Sequence, residues 1–135
     1  MSKCVILCVD DEQVVLKSLE SQLIHEFAAE FHIELAEGGA EALELLDELS
    51  ADGYSTLVII SDWLMPEMKG DEFLVQAHKK FPHVLMLMLT GQADHEAVAR
   101  TKAEANLYKL INKPWEASNL INAIKSGLAE SSVSQ

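Results

Sequence analysis

Five short apolar runs, separated by segments with helical spacing, restrict the fold of this sequence more than any other feature. The runs are Cys4 to Val9, Phe31 to Ala36, Leu57 to Ser61, Val84 to Leu89 and the weaker Leu107 to Ile111. Between them apolar residues recur at intervals of three and four, as in Leu16, Leu19 and Leu23, which predicts amphipathic helices. Strands that alternate with helices predict an α/β fold, with a parallel sheet covered by helices on both faces.

The composition of the strands indicates where each lies in the sheet. "CVILCV" and "VLMLML" are continuously apolar, as expected for central strands buried on both faces. "FHIELA" is interrupted by polar residues, which predicts an edge strand. Trp63 and four methionines are interpreted as packing residues: Met65, Met68, Met86 and Met88.

Length and charge narrow the class of protein. The 135 residues suit one domain, predicted over residues 1–128, with a Ser-rich tail or the start of a linker at residues 129–135. The net charge of −12 argues against binding to nucleic acid or anionic membranes, because phosphates would be repelled, so proteins are the expected partners. No apolar stretch approaches the roughly 20 residues of a membrane span, and the N-terminus lacks the pattern of a signal peptide. A cytoplasmic location is therefore expected.

The cysteines and histidines do not suggest a disulfide or a metal site. Cys4 and Cys8 lie in one predicted strand, about 13 Å apart, which is too far for a disulfide and predicts reduced core thiols. The five histidines lack the spacing of metal ligands and are interpreted as surface or packing residues.

Polar side chains lie at the carboxyl ends of four predicted strands. Asp10 and Asp11 follow the first strand, Asp62 the third and Thr90 the fourth, while Lys113 follows the fifth. In open parallel α/β sheets, ligands bind outside the carboxyl ends of the strands. We therefore expect three carboxylates, a hydroxyl and an ammonium group to meet at one edge of the sheet.

These residue types suit one kind of chemistry. Neighbouring carboxylates repel one another unless a cation shares their site, and a hard divalent ion such as Mg²⁺, or Mn²⁺, takes oxygen ligands and leaves room for phosphate oxygens. Lys113 would offset charge on a phosphoryl group, and Thr90 would add a hydrogen bond. The set predicts phosphoryl transfer to a carboxylate, giving an aspartyl phosphate.

Each residue has a simpler interpretation when taken alone. Asp10 or Asp11 could cap the helix that is predicted to begin near Gln13. Thr90 could belong to a turn, Asp62 could end a strand, and Lys113 could be solvated. The combination at four strand ends favours the functional interpretation.

The sequence resembles the receiver domains of two-component response regulators in four motifs: "ILCVDDE", "SDWLMPEMKGDEFL", "MLTG" and "NKPW". The resemblance implies a flavodoxin-like sheet of order 2-1-3-4-5. It also implies that Asp62 accepts a phosphoryl group from the phosphohistidine of a sensor histidine kinase or histidine phosphotransfer protein. The implied Mg²⁺ ligands are Asp11, Asp62 and the backbone carbonyl of Leu64, with Asp10 in support.

The sequence departs from the family's pattern at one position. The family usually carries an aromatic residue three positions before the lysine, and it swings inward when the threonine engages the phosphoryl group. Here that position holds Leu110. Tyr108 has the same strand parity but lies two residues earlier, so it is not assigned that role.

Two further positions are expected to control the lifetime of the phosphorylated state. Leu64 and Gln92 lie two residues beyond Asp62 and Thr90, at positions that overlook the phosphoryl group in the family. Leu64 should obstruct the hydrolytic water, whereas Gln92 could position it in part.

Three functions are compatible with this set of residues. The first is a phosphorylation-controlled switch with weak activity in its own phosphorylation and dephosphorylation. It would act on a downstream protein or a further output domain, with a possible homodimer through the fourth helix, fifth strand and fifth helix. The second is an aspartate-nucleophile phosphatase, which Leu64 disfavours because a second Asp usually occupies that position. The third, a binding module that has lost phosphorylation, is disfavoured by the complete acid set.

Overall fold

The computed structural model describes residues 3–91 and 95–133, in which five strands alternate with five helices. The strands are β1 Cys4–Val9, β2 His32–Ala36, β3 Ser55–Asp62, β4 Leu85–Thr90 and β5 Leu107–Asn112. The helices are α1 Gln13–Phe27, α2 Gly39–Ala51, α3 Gly70–Lys80, α4 His95–Glu104 and α5 Ala117–Val133. Each predicted strand overlaps an observed one, and the largest difference is that β3 begins two residues earlier.

All four strand pairings are parallel, and the order β2-β1-β3-β4-β5 confirms the predicted sheet. Successive residues of a central strand point to opposite faces. Leu7 and Ile59 pack in a core with α2, α3 and α4, while Ile6 and Ile60 pack in a second core with α1 and α5. Because both faces are covered, the central strands need apolar side chains at nearly every position.

The predictions for the edge strand and the packing residues are confirmed. In β2 only Ala36 is buried, and the other residues are partly exposed. Trp63, Met65, Met86 and Met88 are buried in the core, and Met68 packs against it.

A register shift in β5 overturns one expectation. Met86 pairs with Leu107 whereas Leu87 pairs with Lys109, so Tyr108 is an additional residue in the strand. Tyr108 consequently packs on the α1 and α5 face, and Leu110 on the opposite face. The prediction that these two residues share strand parity is wrong, because a bulge interrupts the alternation.

The end of α5 does not coincide with the predicted end of the domain. The helix continues to Val133, five residues beyond residue 128. No Gly or Pro occurs in residues 129–133, so the sequence contains no residue that would end the helix there. The division into a domain and a tail stays a prediction.

Two smaller observations complete the fold. Cys4 and Cys8, both among the described residues, form no disulfide. Cys8 is a core residue as predicted, and burial raises the pKa of its thiol, whereas Cys4 is only partly buried, so its assignment to the core is wrong. Over residues 3–91 and 95–133, every helix is too short or too polar to cross a membrane.

Candidate functional site

Three carboxylates converge at the carboxyl edge of the sheet. Asp10 and Asp11 follow β1, and Asp62 is the last residue of the neighbouring strand β3. One oxygen of each carboxylate lies within 4.8 Å of the others. Asp10 and Asp62 are buried, whereas Asp11 is exposed. The structure therefore brings the three predicted acids together, with one of them open to solvent.

Lys113 reaches the same cluster from the residue after β5. Its ammonium nitrogen lies 2.8 Å from Asp10 Oδ2, 3.4 Å from Asp62 Oδ1 and 3.7 Å from Glu12 Oε1. The backbone N–H of Lys113 donates to the carbonyl of Thr90 at 3.0 Å. With 16% of its side chain exposed, Lys113 is an ion-paired group of the site and not a solvated surface lysine. Glu12, which the sequence did not single out, is a further carboxylate at its rim.

Asp10 is held by the start of α1 but does not occupy its N-cap position. The N–H of Glu12 donates to Asp10 Oδ1 at 2.8 Å. Glu12 itself is the N-cap residue, and its side chain makes no capping hydrogen bond. The simpler interpretation of Asp10 or Asp11 as a helix cap is therefore wrong.

Asp62 is positioned by the loop that follows it. The N–H of Trp63 donates to Asp62 Oδ1 at 2.9 Å, and the Ser61 hydroxyl donates to the Asp62 carbonyl at the same distance. At the end of the loop, the N–H of Gly70 donates to the Trp63 carbonyl at 2.6 Å. These bonds close the loop against β3 and fix the direction of the Asp62 side chain.

Gly70 is a site residue that sequence reasoning missed. A Cβ at this position would collide with the carbonyl oxygen of Asp62 and lie 2.8 Å from Cα of Trp63. Only glycine allows this close approach of two backbone segments. The pattern that could have identified it is a glycine at the start of a helix, shortly after a strand-end aspartate.

The remaining predicted residues lie at different places in the fold relative to the carboxylate cluster, and one of them is outside the described residues. Thr90 is buried at the end of β4, beside β3, and Leu64 is 50% exposed in the loop after Asp62. Gln92 lies outside the described residues. Leu110 packs against the α2, α3 and α4 core, whereas a side-chain hydrogen bond to Glu130 of α5 raises the pKa of Tyr108. Tyr108 is thus engaged on the other side of the sheet.

The electrostatics of the cluster are dominated by burial. Burial and the nearby charge of Asp10 raise the pKa of Asp62 to about 6, although Lys113 opposes the shift. Burial likewise raises the pKa of Asp10, against the hydrogen bond from Lys113. Burial lowers the pKa of Lys113, but its bonds and charge interactions with Asp10 and Asp62 outweigh this effect and raise it.

The carboxylate cluster has the composition of a site for a divalent cation. Three carboxylates lie close together with one ammonium group, so the cluster carries an excess of negative charge. The exposed Asp11 gives access from solvent. Close carboxylate oxygens with an excess of negative charge are ligands suited to a hard cation, so the residues fit one.

Comparison with known proteins identifies the family to which the chain is similar. Residues 6–125 match the response regulator receiver domain family. The chemotaxis protein CheY1 of Helicobacter pylori is 36% identical over 116 residues, which cover 82% of this chain and 85% of that protein. The hydrogenase transcriptional regulatory protein HoxA of Cupriavidus necator is 30% identical over 123 residues, which cover 91% of this chain and 24% of that protein.

Solved structures give the same result. A CheY-like response regulator receiver domain protein from Methanospirillum hungatei superposes with a TM-score of 0.85 at 28% identity, covering 97% of this chain and 98% of that chain. The chain nevertheless spans only about a quarter of HoxA, and 12% of the sensor kinase CckA of Brucella abortus, which is 30% identical over 129 residues.

Proposed function

The chain belongs to the response regulator receiver domains, the phosphorylation-dependent switches of two-component systems, and from this premise we propose that Asp62 is its phosphoacceptor. The observation that supports this assignment is the contact between the Asp62 carboxylate and Lys113, 3.4 Å apart at the strand ends, beside two further carboxylates. Receiver domains interact with histidine kinases and downstream targets. The phosphoryl donor proposed here is a sensor histidine kinase or histidine phosphotransfer protein, encountered in the cytoplasm.

In the proposed step, an oxygen of Asp62 forms a bond to phosphorus while the bond from phosphorus to the donor's imidazole nitrogen breaks. The donor nitrogen keeps the electron pair of that bond. Lys113 offsets negative charge on the phosphoryl oxygens, and the Thr90 hydroxyl donates a hydrogen bond to one of them. Trp63 holds the nucleophilic carboxylate in place through its backbone N–H.

The proposed cofactor is Mg²⁺, which Mn²⁺ could replace. Asp11, Asp62 and the backbone carbonyl of Leu64 would hold it, with Asp10 in support. Such an ion supplies a positive charge that lets phosphoryl oxygens approach the carboxylates. The family is one of regulatory phosphoacceptors, and a weak capacity for self-phosphorylation from small donors and for self-dephosphorylation belongs to this proposal.

The test is the intact mass of the protein after incubation with a small phosphodonor and Mg²⁺. We expect wild type to gain one phosphoryl group, and Asp62→Asn to gain none while it remains folded. Asp11→Ala should lose most of the gain because it lacks a metal ligand. Asp52→Asn makes the same chemical change as Asp62→Asn at an exposed site and should behave as wild type. A stable adduct that persists in Asp62→Asn would contradict the assignment.

The proposed output is a change in the surface formed by α4, β5 and α5. Engagement of the phosphoryl group by Thr90 and Lys113 shifts an existing equilibrium of that surface, which then binds a downstream protein, an output domain or a second copy of the chain. Because position 110 is Leu, no aromatic rotation there takes part.

Self-association provides a test of this route. Sedimentation of wild type and Thr90→Ala, each with and without phosphodonor, should show a phosphorylation-dependent change in wild type alone. A full response in Thr90→Ala would show that Thr90 does not carry the coupling.

A further inference from the structure

Trp63 contacts the proposed phosphoacceptor through its backbone and a second carboxylate through its side chain. Its N–H donates to Asp62 Oδ1 at 2.9 Å, and its indole Nε1 donates to Asp71 Oδ1 at 3.1 Å. The side chain is 8% exposed, and the Lys69 ammonium lies 5.3 Å from the ring centroid. A buried indole N–H needs an acceptor, so the Asp71 bond determines where the Trp63 ring lies.

Asp71 extends this connection to another helix. It is the second residue of α3 and is 7% exposed, an unusual degree of burial for a carboxylate. Its second oxygen, Oδ2, lies 3.5 Å from Nη1 of Arg100, which belongs to α4. One buried carboxylate therefore joins the residue next to Asp62 to α4.

Apart from Arg100, helix α4 is anchored by small or partly buried side chains, among them Val98, which packs against the core. Its buried residues are Ala97 and Thr101, whose small side chains contribute little apolar area. Arg100 also pairs with Glu104 at 3.2 Å, but Glu104 is 52% exposed and lies on the same helix, so this pair does not connect α4 to another element. The Arg100–Asp71 pair is thus a tie between α3 and a lightly anchored α4.

We propose that Trp63, Asp71 and Arg100, which we call the Trp63 link, couple the chemical state of Asp62 to the stability of α4. This inference rests on the proposed function of Asp62. An acyl phosphate is a weaker acceptor than a carboxylate, so phosphorylation weakens the bond from the Trp63 N–H. Trp63 then shifts, and the indole carries the change to Asp71 and Arg100. The link acts without an aromatic residue at position 110.

The experiment is hydrogen exchange of the peptide that covers residues 95–104, with and without phosphodonor and Mg²⁺. In wild type we expect phosphorylation to speed exchange there roughly three- to tenfold, which lies within the range of ordinary couplings between sites. Arg100→Gln should exchange faster before phosphorylation and respond less than about twofold afterwards. Glu104→Gln removes the other partner of Arg100 but keeps the link, so it should respond as wild type.

Intact mass of the same samples separates this inference from the proposed function. Where Arg100→Gln gains the phosphoryl group and its α4 still responds fully, the Trp63 link is wrong and the phosphoacceptor stands. Where no protein gains mass, the proposed function fails. The Trp63 link is then tested by a second measurement on unphosphorylated protein.

That second measurement uses Asp62→Ala, which removes the acceptor of the Trp63 N–H, in wild-type and Arg100→Gln backgrounds. Faster α4 exchange in the first background, with little further change in the second, supports the link. If Asp62→Ala speeds α4 exchange equally in both backgrounds, the Trp63 link is wrong.

Discussion

At the scale of single residues, Leu64 is a half-exposed apolar side chain two residues beyond the proposed phosphoacceptor, Asp62. It is 50% exposed in the loop directly after Asp62 and offers no hydrogen bond. Hydrolysis of an acyl phosphate needs a water in line with the bond that breaks. We propose that Leu64 lies over the phosphoryl group and, being apolar, prolongs the phosphorylated state.

We predict that Leu64→Asn shortens the lifetime of phosphorylated protein by roughly three- to tenfold, because a polar side chain can hold the water in place. The measurement is decay of the phosphorylated form in excess Mg²⁺ after the donor is removed. Ile24→Asn, at a position of α1 that is 46% exposed, controls for replacing a surface apolar residue. Equal lifetimes for wild type and Leu64→Asn would show that position 64 does not control access of water.

At the scale of elements, the turn from β3 into α3 depends on a close approach of backbone segments. Gly70 begins α3, and its N–H bonds the carbonyl of Trp63. We predict that Gly70→Ala lowers the free energy of unfolding by about 3 kcal/mol, since the methyl group would collide with the Asp62 carbonyl and backbone cannot yield as a flexible side chain does. The same shift should impair phosphorylation of Asp62.

Denaturant titration and intact mass check this prediction. The matched control is Gly38→Ala, where a Cβ would meet no atom within 4 Å and the backbone is extended, so the loss should stay below about 1 kcal/mol. Similar losses for the two variants would refute a special role for Gly70.

At the scale of the whole molecule, the burial of Asp62 makes its ionisation unfavourable for folding at neutral pH when no cation is bound. The pKa of Asp62 is raised from 3.8 to about 6. The stability that the folded state gains by keeping Asp62 protonated is complete below pH 3.8, the pKa of the unfolded state. It declines as the pH rises and is lost above about pH 6. At neutral pH the ionised Asp62 side chain therefore lowers the free energy of unfolding, whereas an uncharged side chain at this position would not.

We predict that Asp62→Asn raises the free energy of unfolding by about 2 kcal/mol at pH 7 in the presence of a chelator, and by much less near pH 4. Chemical denaturation of both proteins across this range measures the difference. Asp52→Asn, at an exposed position, should show no such pH-dependent gain. A gain of equal size at both ends of the range would indicate a cause other than the raised pKa.

The sequence by itself determined the strands and the edge of the sheet that carries the site. A central strand is covered on both faces and must be apolar along its length, so a polar residue such as Asp62 or Thr90 marks the point where it leaves the core. The placement of Asp10, Asp11, Asp62 and Lys113 at one edge follows from parallel strands, whereas their contact depends on the order of the strands. The order of the strands came from the resemblance to a family and not from the strands' own composition.

Tertiary structure decided what depends on contacts between distant segments. The bulge that places Tyr108 and Leu110 on opposite faces arises from the pairing of β5 with β4. Regular alternation along the sequence does not predict it. The need for Gly70 and the link from Trp63 through Asp71 to Arg100 likewise depend on how closely β3, α3 and α4 approach one another. Local composition specifies which residues are buried, but the partner of a buried polar group is known only when the chain has packed.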